Sequence, residues 1–516
     1  MIYLQTLHIT SGYKLLQDFR LDFQELPLEG YGIGTEWLTV LLGNNGSGKS
    51  SVLEAITYIF RGAHEQYLHD GLPEIPFDFQ LRYLISATTE EWVTLPSELA
   101  AFPLPLPKEA KEFQTRYADV LVTGQRVSDG YIITIEEAIG AGEAGEVVWE
   151  PVHEEPRVRE LLPSLVIYYS GVSESILNIY RAFERSVLNE SRISATDTSL
   201  MEATALPLYY LQAADVGLLL AALFSFEFNA ELDDFLEYTM RMQKPEQAAV
   251  IIVIRPPSYG NKKGRDYYNG WKSEGVLGAF LDQLRDKVTF VSPTIGQDAY
   301  TLHFNLSDWY KLREAYTSER ELLALLLLLK ANNMVVGAGI NFMRDGLTLS
   351  DEDLSEGEQQ LLVVRALAEL LVLNNEGTLL LFDEPDTFLH PKWQQEFFKV
   401  LEPFAGRASC IVTTHSPILL THLKTGNLVR MEGGKAQRLP GSPYGQRYAD
   451  TLMDYMGLGS RPPVQDAAVE KVFTLLEAED VNIAAVKRAL QELRELVGAD
   501  DPEVQRAETL LAFWEN

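Results

Sequence analysis

The segment LGNNGSGKSS, residues 42–51, constrains the fold of this chain more than any other feature. It fits the pattern Gly-x-x-x-x-Gly-Lys-Ser, with Gly43, Gly48, Lys49 and Ser50 at the specified positions. The apolar run EWLTVLL comes before it, and SSVLEAITYIF after it repeats apolar residues at helical spacing. A strand, a glycine-rich loop and a helix in this order predict an α/β fold with a phosphate-binding loop.

Each residue type in this loop has a physical role toward a nucleotide. Glycines let the backbone N–H groups turn toward a phosphate, and the positive end of the following helix adds to the attraction. The lysine reaches the β- and γ-phosphates, and the serine hydroxyl binds Mg²⁺. We therefore expect a bound nucleotide and Mg²⁺, with Ser50 as a metal ligand. The predicted phosphate contacts are Asn45, Gly46, Gly48, Lys49, Ser50 and Ser51.

Two further strand-like runs predict the acidic part of the same site. In TLLLFDEPDTFLHP, the apolar run ends in Asp383 and Glu384, and CIVTTHSP places His415 at the end of another run. The first acid is suited to hold Mg²⁺, and the second to orient and deprotonate the attacking water. We predict Asp383 as a metal ligand, and Glu384 and His415 as catalytic residues.

Length and composition limit the class of protein. With 516 residues, 46% of them hydrophobic, the chain can bury a large core and form several lobes. Its longest apolar runs, GLLLAALF and LLALLLLL, are shorter than the roughly 18 residues that span a bilayer, so we expect no membrane association. The first residues lack the basic and then apolar pattern of a signal peptide. A single cysteine, Cys410, excludes a disulfide within the chain, and we expect a cytoplasmic protein.

The net charge of −31 works against nonspecific binding of nucleic acid by the whole chain. The one local candidate is RPPSYGNKKGRDYYNGWK, residues 255–272, where basic residues alternate with aromatic ones. Such a pattern can hold a phosphate backbone and stack bases. An exposed loop with buried aromatic side chains has the same pattern, so both interpretations stay open.

The segment LSEGEQQLLVVRALAELL, residues 354–371, lies between these motifs. A serine N-cap with acids in the first helical turn accounts for part of it. It also resembles the LSGGQ signature of ABC-type ATPases, in which the signature of one chain closes on the nucleotide held by another. The resemblance implies that Ser355 and the N–H of Gly357 face the γ-phosphate of a partner chain. Glu356 and Glu358 stand where glycine and glutamine are usual, which implies a less tightly closed dimer.

The overall pattern resembles one branch of these ATPases, the Septu-type (PtuA-like) ATPases of bacterial anti-phage defence, which also occur beside retrons. The resemblance rests on LPSLVIYYSG, on DEPDTFLHP with TTHSPILL, and on the C-terminal tail. The tail is predicted to form helices at about 464–479, 482–497 and 501–515, from its N-cap residues and Pro502.

The resemblance implies a P-loop ABC-type ATPase fold with a mixed β-sheet core, a helical insertion lobe and a C-terminal helical tail. We expect four regions along the chain. They are an N-terminal part of the ATPase head at 1–170, a mainly helical insertion at 171–340, a C-terminal part of the head at 341–445 and a helical tail at 446–516.

By the same resemblance, the chain is an ATP-hydrolysing regulatory or sensor subunit. It would control a separate effector, an HNH-type nuclease, through nucleotide-dependent dimerisation or a higher assembly, and reach nucleic acid through that complex. A nucleotide-sensing scaffold with little turnover and a RecF-like DNA-repair ATPase stay open as alternatives.

A related class, the overcoming-lysogenization-defect-like nucleases, adds a nuclease domain after the histidine, with a glutamate and a later Asp-x-Asp pair. Here Glu432 lies in a predicted β-hairpin, and no such pair follows on a strand. We therefore expect no nuclease within this chain.

Overall fold

A computed structural model describes most of the 516 residues. The described ranges are 2–23, 37–68, 72–86, 117–128, 130–141, 147–170, 174–193, 207–225, 230–243, 249–257, 267–273, 275–294, 298–316, 319–372, 377–402, 405, 407–424, 426–457, 461–478 and 481–515. By the density of its internal contacts, the chain divides into two compact units, Met1–Ser442 and Pro443–Asn516.

The strands in the described part of the first unit are β1 Ile2–Ile9, β2 Phe19–Asp22, β3 Leu38–Leu42, β4 Phe79–Ser86, β5 Tyr117–Val127, β6 Gly130–Ala141, β7 Val147–Pro151, β8 Ser164–Tyr169, β9 Leu208–Leu211, β10 Val250–Ile254, β11 Phe290–Pro293, β12 Tyr300–Phe304, β13 Val335–Arg344, β14 Leu347–Ser350, β15 Thr378–Asp383, β16 Ala408–Thr414, β17 Asn427–Glu432 and β18 Lys435–Leu439. They form three sheets, with the orders β2-β1-β4-β5-β6-β7, β18-β17-β3-β16-β15-β8-β9 and β11-β12-β10-β13-β14.

The helices alternate with these strands and then make up the second unit. Their bounds are α1 Lys49–Leu68, α2 Glu155–Leu161, α3 Ser175–Ile193, α4 Val216–Leu223, α5 Ala230–Asp234, α6 Gly275–Lys287, α7 Leu306–Arg313, α8 Glu319–Ala331, α9 Glu356–Val372, α10 Pro391–Leu401, α11 Pro417–Leu420, α12 Tyr448–Asp454, α13 Pro463–Leu476, α14 Ile483–Val497 and α15 Pro502–Glu515. Among the described residues, no helix is both long and apolar enough to cross a membrane.

The seven-stranded sheet determines where the predicted motifs meet. Strands β3, β16, β15, β8 and β9 are all parallel, while the β17–β18 hairpin closes one edge. Every residue of β3, β15 and β16 is buried, because a parallel sheet is covered on both faces and so takes continuous apolar runs. The carboxyl ends of β3, β15 and β16 lie side by side, and each of the three predicted motifs follows one of them.

Helix α1 packs the phosphate loop onto the main hydrophobic core. The apolar face predicted from helical spacing, Val52, Leu53, Ile56, Ile59 and Phe60, is fully buried. This core also contains side chains of the six-stranded antiparallel sheet and of β8 and β15. The described residues between 77 and 170 are rich in strands, with β4, β5, β6, β7 and β8.

Residues 171–340, predicted as a helical insertion, contain the helices α6 and α8. It also contributes most of the five-stranded antiparallel sheet, which the sequence pattern did not predict. The central strand, β10, and its neighbour β12 are each only five residues long, and β11 has four residues. Runs of this length carry too little periodicity to be told from a helix or loop.

The second unit is a group of helices with its own core. The predicted helices are confirmed as α13, α14 and α15, and Asn482 caps α14 by accepting a hydrogen bond from the N–H of Ala485 at 3.1 Å. Arg461 binds both carboxylate oxygens of Asp501 before α15 begins. The core consists of Val472, Leu476, Val486, Ala489, Leu490, Leu493, Val504, Ala507 and Leu511.

The predicted fold class is confirmed. The phosphate loop follows a parallel strand of a mixed sheet, helices dominate the insertion, and the tail is helical.

Candidate nucleotide-hydrolysis site

The phosphate loop turns between β3 and α1 with a backbone that requires glycine. Gly46 and Gly48 have φ values of +78° and +105°, a region that other residues rarely adopt. Gly43 has a φ of +145°, and a Cβ on it would lie 2.4 Å from the carbonyl oxygen of Met431. The tip of the loop, including Asn45, is exposed, whereas Lys49 is buried at the start of α1 and Ser51 is half-buried.

Lys49 is held in place by the loop itself. Its Nζ donates hydrogen bonds to the carbonyl oxygens of Gly43 at 2.8 Å and Asn44 at 3.3 Å. Glu384 Oε1 lies 3.9 Å from the same nitrogen. Burial lowers the pKa of Lys49, and the neighbouring carboxylates of Glu384, Asp383 and Asp386 oppose that shift. The lysine is therefore a buried cation beside the loop, where a phosphate would arrive.

Ser50 connects the loop to the end of β15, 333 residues away in sequence. Its Oγ donates a hydrogen bond to Asp383 Oδ1 at 3.0 Å. The same carboxylate oxygen accepts a hydrogen bond from Thr413 Oγ1 at 2.5 Å. The two residues predicted as metal ligands, Ser50 and Asp383, therefore lie together.

The surroundings of Asp383 fit a divalent cation. Only 1% of the residue is exposed, and its Oδ1 accepts hydrogen bonds from the hydroxyl groups of Ser50 and Thr413. Burial raises its pKa to about 6, although the hydrogen bonds from Thr413 and Ser50 work in the other direction. Mg²⁺ prefers such oxygen ligands and is usually held by one or two carboxylates together with substrate phosphates. The described residues contain no cluster of three His, Cys, Asp or Glu side chains that could hold a metal ion.

Glu384 follows β15 directly and has an unusual backbone. Its φ is +49°, in the left-handed region that costs a non-glycine residue on the order of 1–3 kcal/mol. Side chains at the ends of two neighbouring strands hold the Glu384 backbone in this conformation. Its N–H donates to Thr413 Oγ1 at 2.9 Å, and its carbonyl oxygen accepts a short hydrogen bond from Ser170 Oγ. This geometry leaves the Glu384 carboxylate partly exposed between Lys49 and His415, whose Nδ1 is 3.7 Å from Glu384 Oε1.

Asp386 forms a second layer behind these residues. Its Oδ2 accepts a hydrogen bond from Thr414 Oγ1 at 2.8 Å, and its buried Oδ1 has no hydrogen-bond partner in the described part of the chain. Burial raises the pKa of Asp386, while the Thr414 hydrogen bond and nearby His415 oppose the shift. Thr414 also accepts the N–H of Ser416 at 3.0 Å, so this layer fixes the turn that carries His415.

The signature segment lies at the start of α9. Ser355 caps this helix, and its N–H and Oγ both donate to Glu358 Oε2, at 2.9 and 2.8 Å. Glu358 also pairs with Arg344 at 3.1 Å. Burial would raise the pKa of Glu358, but the hydrogen bonds from Ser355 and the charge of Arg344 lower it overall. Glu358 is therefore an anchored carboxylate, and Ser355 is exposed while Gly357 is buried beside Trp393.

The structure thus brings together Lys49, Ser50, Asp383, Glu384 and His415. Ser355 and Gly357 have their contacts within the signature segment and its immediate surroundings, and their role toward a nucleotide stays a prediction. Sequence reasoning missed Ser170, Thr413, Thr414 and Asp386 as parts of the site. The only sequence signal for them was their position, because each stands at or just after the end of a predicted strand.

The basic and aromatic stretch at 255–272 is described only in part, and Tyr259, Lys262, Lys263 and Arg265 lie outside the described residues. Of the described aromatic side chains, Tyr267 and Trp271 are buried, and Tyr267 stacks on Tyr300 with 4.9 Å between ring centroids. Tyr268 is exposed. For Tyr267 and Trp271, packing within the protein is therefore the better interpretation.

Comparison with known proteins extends this picture. The chain is 31% identical over 163 residues to the "Retron Ec83 probable ATPase" of Escherichia coli, and this alignment covers 30% of this chain and 29% of that protein. It is 28% identical over 166 residues to the "Retron Vc95 probable ATPase" of Vibrio cholerae serotype O1 biovar El Tor, where the alignment covers 30% of this chain and 31% of that protein. It is also 30% identical over 118 residues to "Septu protein PtuA" of Bacillus thuringiensis, where the alignment covers 21% of this chain and 30% of that protein.

These alignments span less than a third of each relative's length. Among solved structures, the Smc head domain with an extended coiled coil bound to the C-terminal domain of ScpA, derived from Pyrococcus furiosus, is 13% identical. The superposition covers 86% of this chain and 97% of that chain at a TM-score of 0.33.

A family model for "AAA domain, putative AbiEii toxin, Type IV TA system" matches residues 138–421, more than half of the chain. The matched region contains the signature segment, Asp383, Glu384 and His415. With the names of the relatives, it confirms the resemblance to defence-associated ATPases that the sequence indicated. The chain therefore belongs to the family described as "AAA domain, putative AbiEii toxin, Type IV TA system".

Proposed function

We propose that this chain hydrolyses ATP with Mg²⁺ and thereby controls a separate effector in a bacterial anti-phage defence system. The observation that carries the proposal is the contact between Ser50 and Asp383, with Glu384 beside Lys49. A buried lysine and the neighbouring hydroxyl of the loop meet a carboxylate 333 residues later in the sequence, and this combination is suited to hold a charged ligand at this edge of the sheet. The names of the retron and Septu relatives support the connection to defence.

The proposed chemistry assigns one task to each residue. The loop N–H groups and Lys49 bind the β- and γ-phosphates and offset the negative charge that develops on them. Ser50 and Asp383 would hold Mg²⁺, which would supply positive charge to offset the negative charge of the phosphates. Glu384 accepts the proton of the attacking water, and His415 contacts the γ-phosphate from the other side.

The first experiment measures phosphate release by the purified chain, with Lys424→Ala as the matched control for Lys49→Ala. Lys424 is half exposed and pairs with Glu402 at 2.8 Å, so the control removes the same kind of side chain outside the site. We expect Lys49→Ala to lose ATP binding and turnover, and Lys424→Ala to keep both. Equal turnover in the wild type and Lys49→Ala would contradict an ATPase at this loop.

We further propose that the site is completed by a second copy of this chain. The inner side of the site is buried, whereas His415 and Glu384 are 45% and 28% exposed, so the site is open on one side. Ser355, at the positive end of the 17-residue helix α9, is exposed on the same unit and is suited to meet a phosphate held by another copy.

Mixing two inactive variants tests the shared site. Lys49→Ala and Ser355→Arg should each be inactive alone, and their mixture should recover part of the activity. One of the two sites in the mixed dimer then combines an intact loop with an intact signature. If subunits exchange and no activity returns, the site is built within one chain.

The effector is expected to be an HNH-type nuclease, as the resemblance to Septu-type ATPases implies, and we propose that it docks on the unit at 443–516. This unit carries an excess of acidic residues, and a nuclease that binds nucleic acid presents a basic surface. Its last helix also exposes Leu510, Phe513 and Trp514. Exposed aromatic side chains within an acidic surface are suited to anchor such a partner.

Co-purification with the product of the neighbouring gene tests the docking proposal. Truncation after Tyr455 removes the whole core of the second unit, so ATP binding should persist while the partner is lost. Phe513→Ser with Trp514→Ser changes only the exposed surface, and Gln505→Ala, at an exposed and uncharged position on the same helix, is the control. If both variants still co-elute with the partner as the wild type does, the docking site lies elsewhere, and residues 171–340 are the next region to test.

One observation favours a second function, a nucleotide-sensing scaffold with little turnover. Glu358 places a fixed negative charge next to Ser355, where a partner's γ-phosphate would have to arrive. If the wild type binds ATP but releases less than about one phosphate per hour with and without the partner, far below the roughly 1–1,000 s⁻¹ of typical enzymes, the scaffold is the better account.

A further inference from the structure

We infer that Thr413 is a positioning residue that aligns the metal-binding carboxylate and the general base through one hydroxyl group. The inference rests on the proposed ATP hydrolysis and assigns a role to a residue outside the motifs. Thr413 is fully buried and is the sixth residue of β16, one before the end of the strand.

The pairing of β15 with β16 puts Thr413 beside the two acids. Asp383 and Thr413 are register partners in these parallel strands. The hydroxyl donates to Asp383 Oδ1 at 2.5 Å and accepts the N–H of Glu384 at 2.9 Å. A hydroxyl has one hydrogen to donate and lone pairs to accept, so both bonds form at once. One side chain therefore fixes the carboxylate of one acid and the backbone of the next.

The second bond matters because of the conformation of Glu384. Its left-handed backbone is unfavourable for a glutamate and is followed by Pro385, which disfavours helical conformations in the residue before it. The N–H that Thr413 accepts and the carbonyl that Ser170 binds belong to this residue. Without the Thr413 hydroxyl, the buried N–H loses its acceptor, and the backbone is free to turn toward an extended conformation. The Glu384 carboxylate would then leave its position beside Lys49.

A structural role alone would have different consequences. Thr378 is also fully buried and begins strand β15, at the opposite end from Asp383. Its hydroxyl donates to the carbonyl oxygen of Leu371 at 3.2 Å. Thr378→Val therefore removes a buried hydroxyl from the same sheet without touching the site, and it is the matched control for Thr413→Val.

The test compares Thr413→Val, Thr413→Ser and Thr378→Val in steady-state phosphate release and in thermal unfolding. Misplacing a catalytic group by about 1 Å can cost a factor of about 100 in rate. We expect Thr413→Val to lower kcat by about 100-fold, in line with that cost, and to leave KM within about threefold. Thr413→Ser should keep kcat within about threefold of wild type because it retains the hydroxyl. Thr378→Val should lower the melting temperature without lowering kcat.

A second readout does not depend on turnover. In the presence of a non-hydrolysable ATP analogue, the thermal shift is measured as a function of Mg²⁺ concentration. Thr413→Val should need several times more Mg²⁺ for half of the shift, because Asp383 loses a fixed orientation, whereas Thr413→Ser and Thr378→Val should match the wild type. If Thr413→Val does not fold, Thr413→Ala takes its place in both measurements.

A double variant separates this inference from the proposed function. In a Glu384→Gln background at saturating Mg²⁺, Thr413→Val should lower the remaining rate by less than about threefold, because the base it positions is already gone and excess Mg²⁺ compensates for the altered orientation of Asp383. If the wild type hydrolyses ATP, Glu384→Gln does not, and Thr413→Val matches the wild type in kcat and Mg²⁺ requirement, the positioning role is overturned. If the wild type does not hydrolyse ATP, the proposed function fails, and the Mg²⁺ measurement alone decides the role of Thr413.

Discussion

Replacing the general base without changing its size is the most direct test of the hydrolysis site. Glu384→Gln keeps the side-chain volume and removes one negative charge and the ability to accept a proton. General-base catalysis contributes about 10²- to 10⁴-fold, so we expect kcat to fall by that factor, which corresponds to a barrier increase of about 3–5 kcal/mol.

The same substitution should leave nucleotide binding intact or improve it. Glu384 Oε1 is 3.9 Å from Lys49 Nζ, and two unit charges about 4 Å apart attract each other by about 4 kcal/mol at an effective dielectric constant of 20. Because Glu384 is 28% exposed, solvent screening reduces this value considerably. Glutamine removes an attraction that competes with phosphate for Lys49, while the carbonyl oxygens of Gly43 and Asn44 still hold the lysine.

Three measurements follow from these expectations: phosphate release at saturating ATP, equilibrium binding of ATP, and molar mass with and without ATP. The variant should bind ATP at least as tightly as the wild type and accumulate as an ATP-bound dimer. Glu402→Gln, a half-exposed glutamate paired with Lys424, is the matched control and should behave as the wild type. Turnover of Glu384→Gln within about threefold of the wild type would refute the assigned role, since base removal should cost at least about 100-fold.

Two further predictions concern charge at the site. Because burial raises the pKa of Asp383 to about 6, the folded protein binds more protons than the unfolded chain between about pH 4 and about pH 6, and its free energy of unfolding falls as pH rises through that window. Asp383→Asn should remove this fall. The melting temperature of the metal-free wild type should therefore decline, relative to that of the variant, from about pH 5 to about pH 7. A difference in melting temperature that stays constant over this pH range would contradict the burial of this carboxylate. Glu358→Gln should tighten the ATP-dependent dimer several-fold by removing a like charge near the incoming phosphate, as measured by molar mass against concentration with Glu396→Gln as control. An unchanged dimer affinity would show that Glu358 lies away from the interface.

Much of the site could be predicted from the sequence because its residues stand at fixed offsets from strand ends. The glycine spacing located Lys49 and Ser50, and an apolar run followed by two acids located Asp383 and Glu384. Parallel strands bring such ends to one edge of a sheet, so the motifs had to meet once the runs were recognised as strands.

The contribution of Thr413 could not be predicted in this way. A threonine within an apolar run is an ordinary strand former, and its role depends on the register of β16 against β15. The conformation of Glu384 could not be predicted either, because a residue that precedes proline is expected to have an extended backbone. In the structure, hydrogen bonds from two other strands override that preference. A single sequence does not reveal such long-range pairing.

The position of β3 has a consequence for synthesis of the chain. Its two neighbours in the sheet, β16 and β17, come more than 360 residues later. At about 5–20 residues per second, the ribosome needs roughly 20–70 seconds to make that interval. During this time the strand before the phosphate loop has neither partner, and Ser50 cannot yet meet Asp383. A nascent chain therefore cannot bind nucleotide in the manner proposed here. The proposed response to ATP therefore begins only after β16 and β17 have been made.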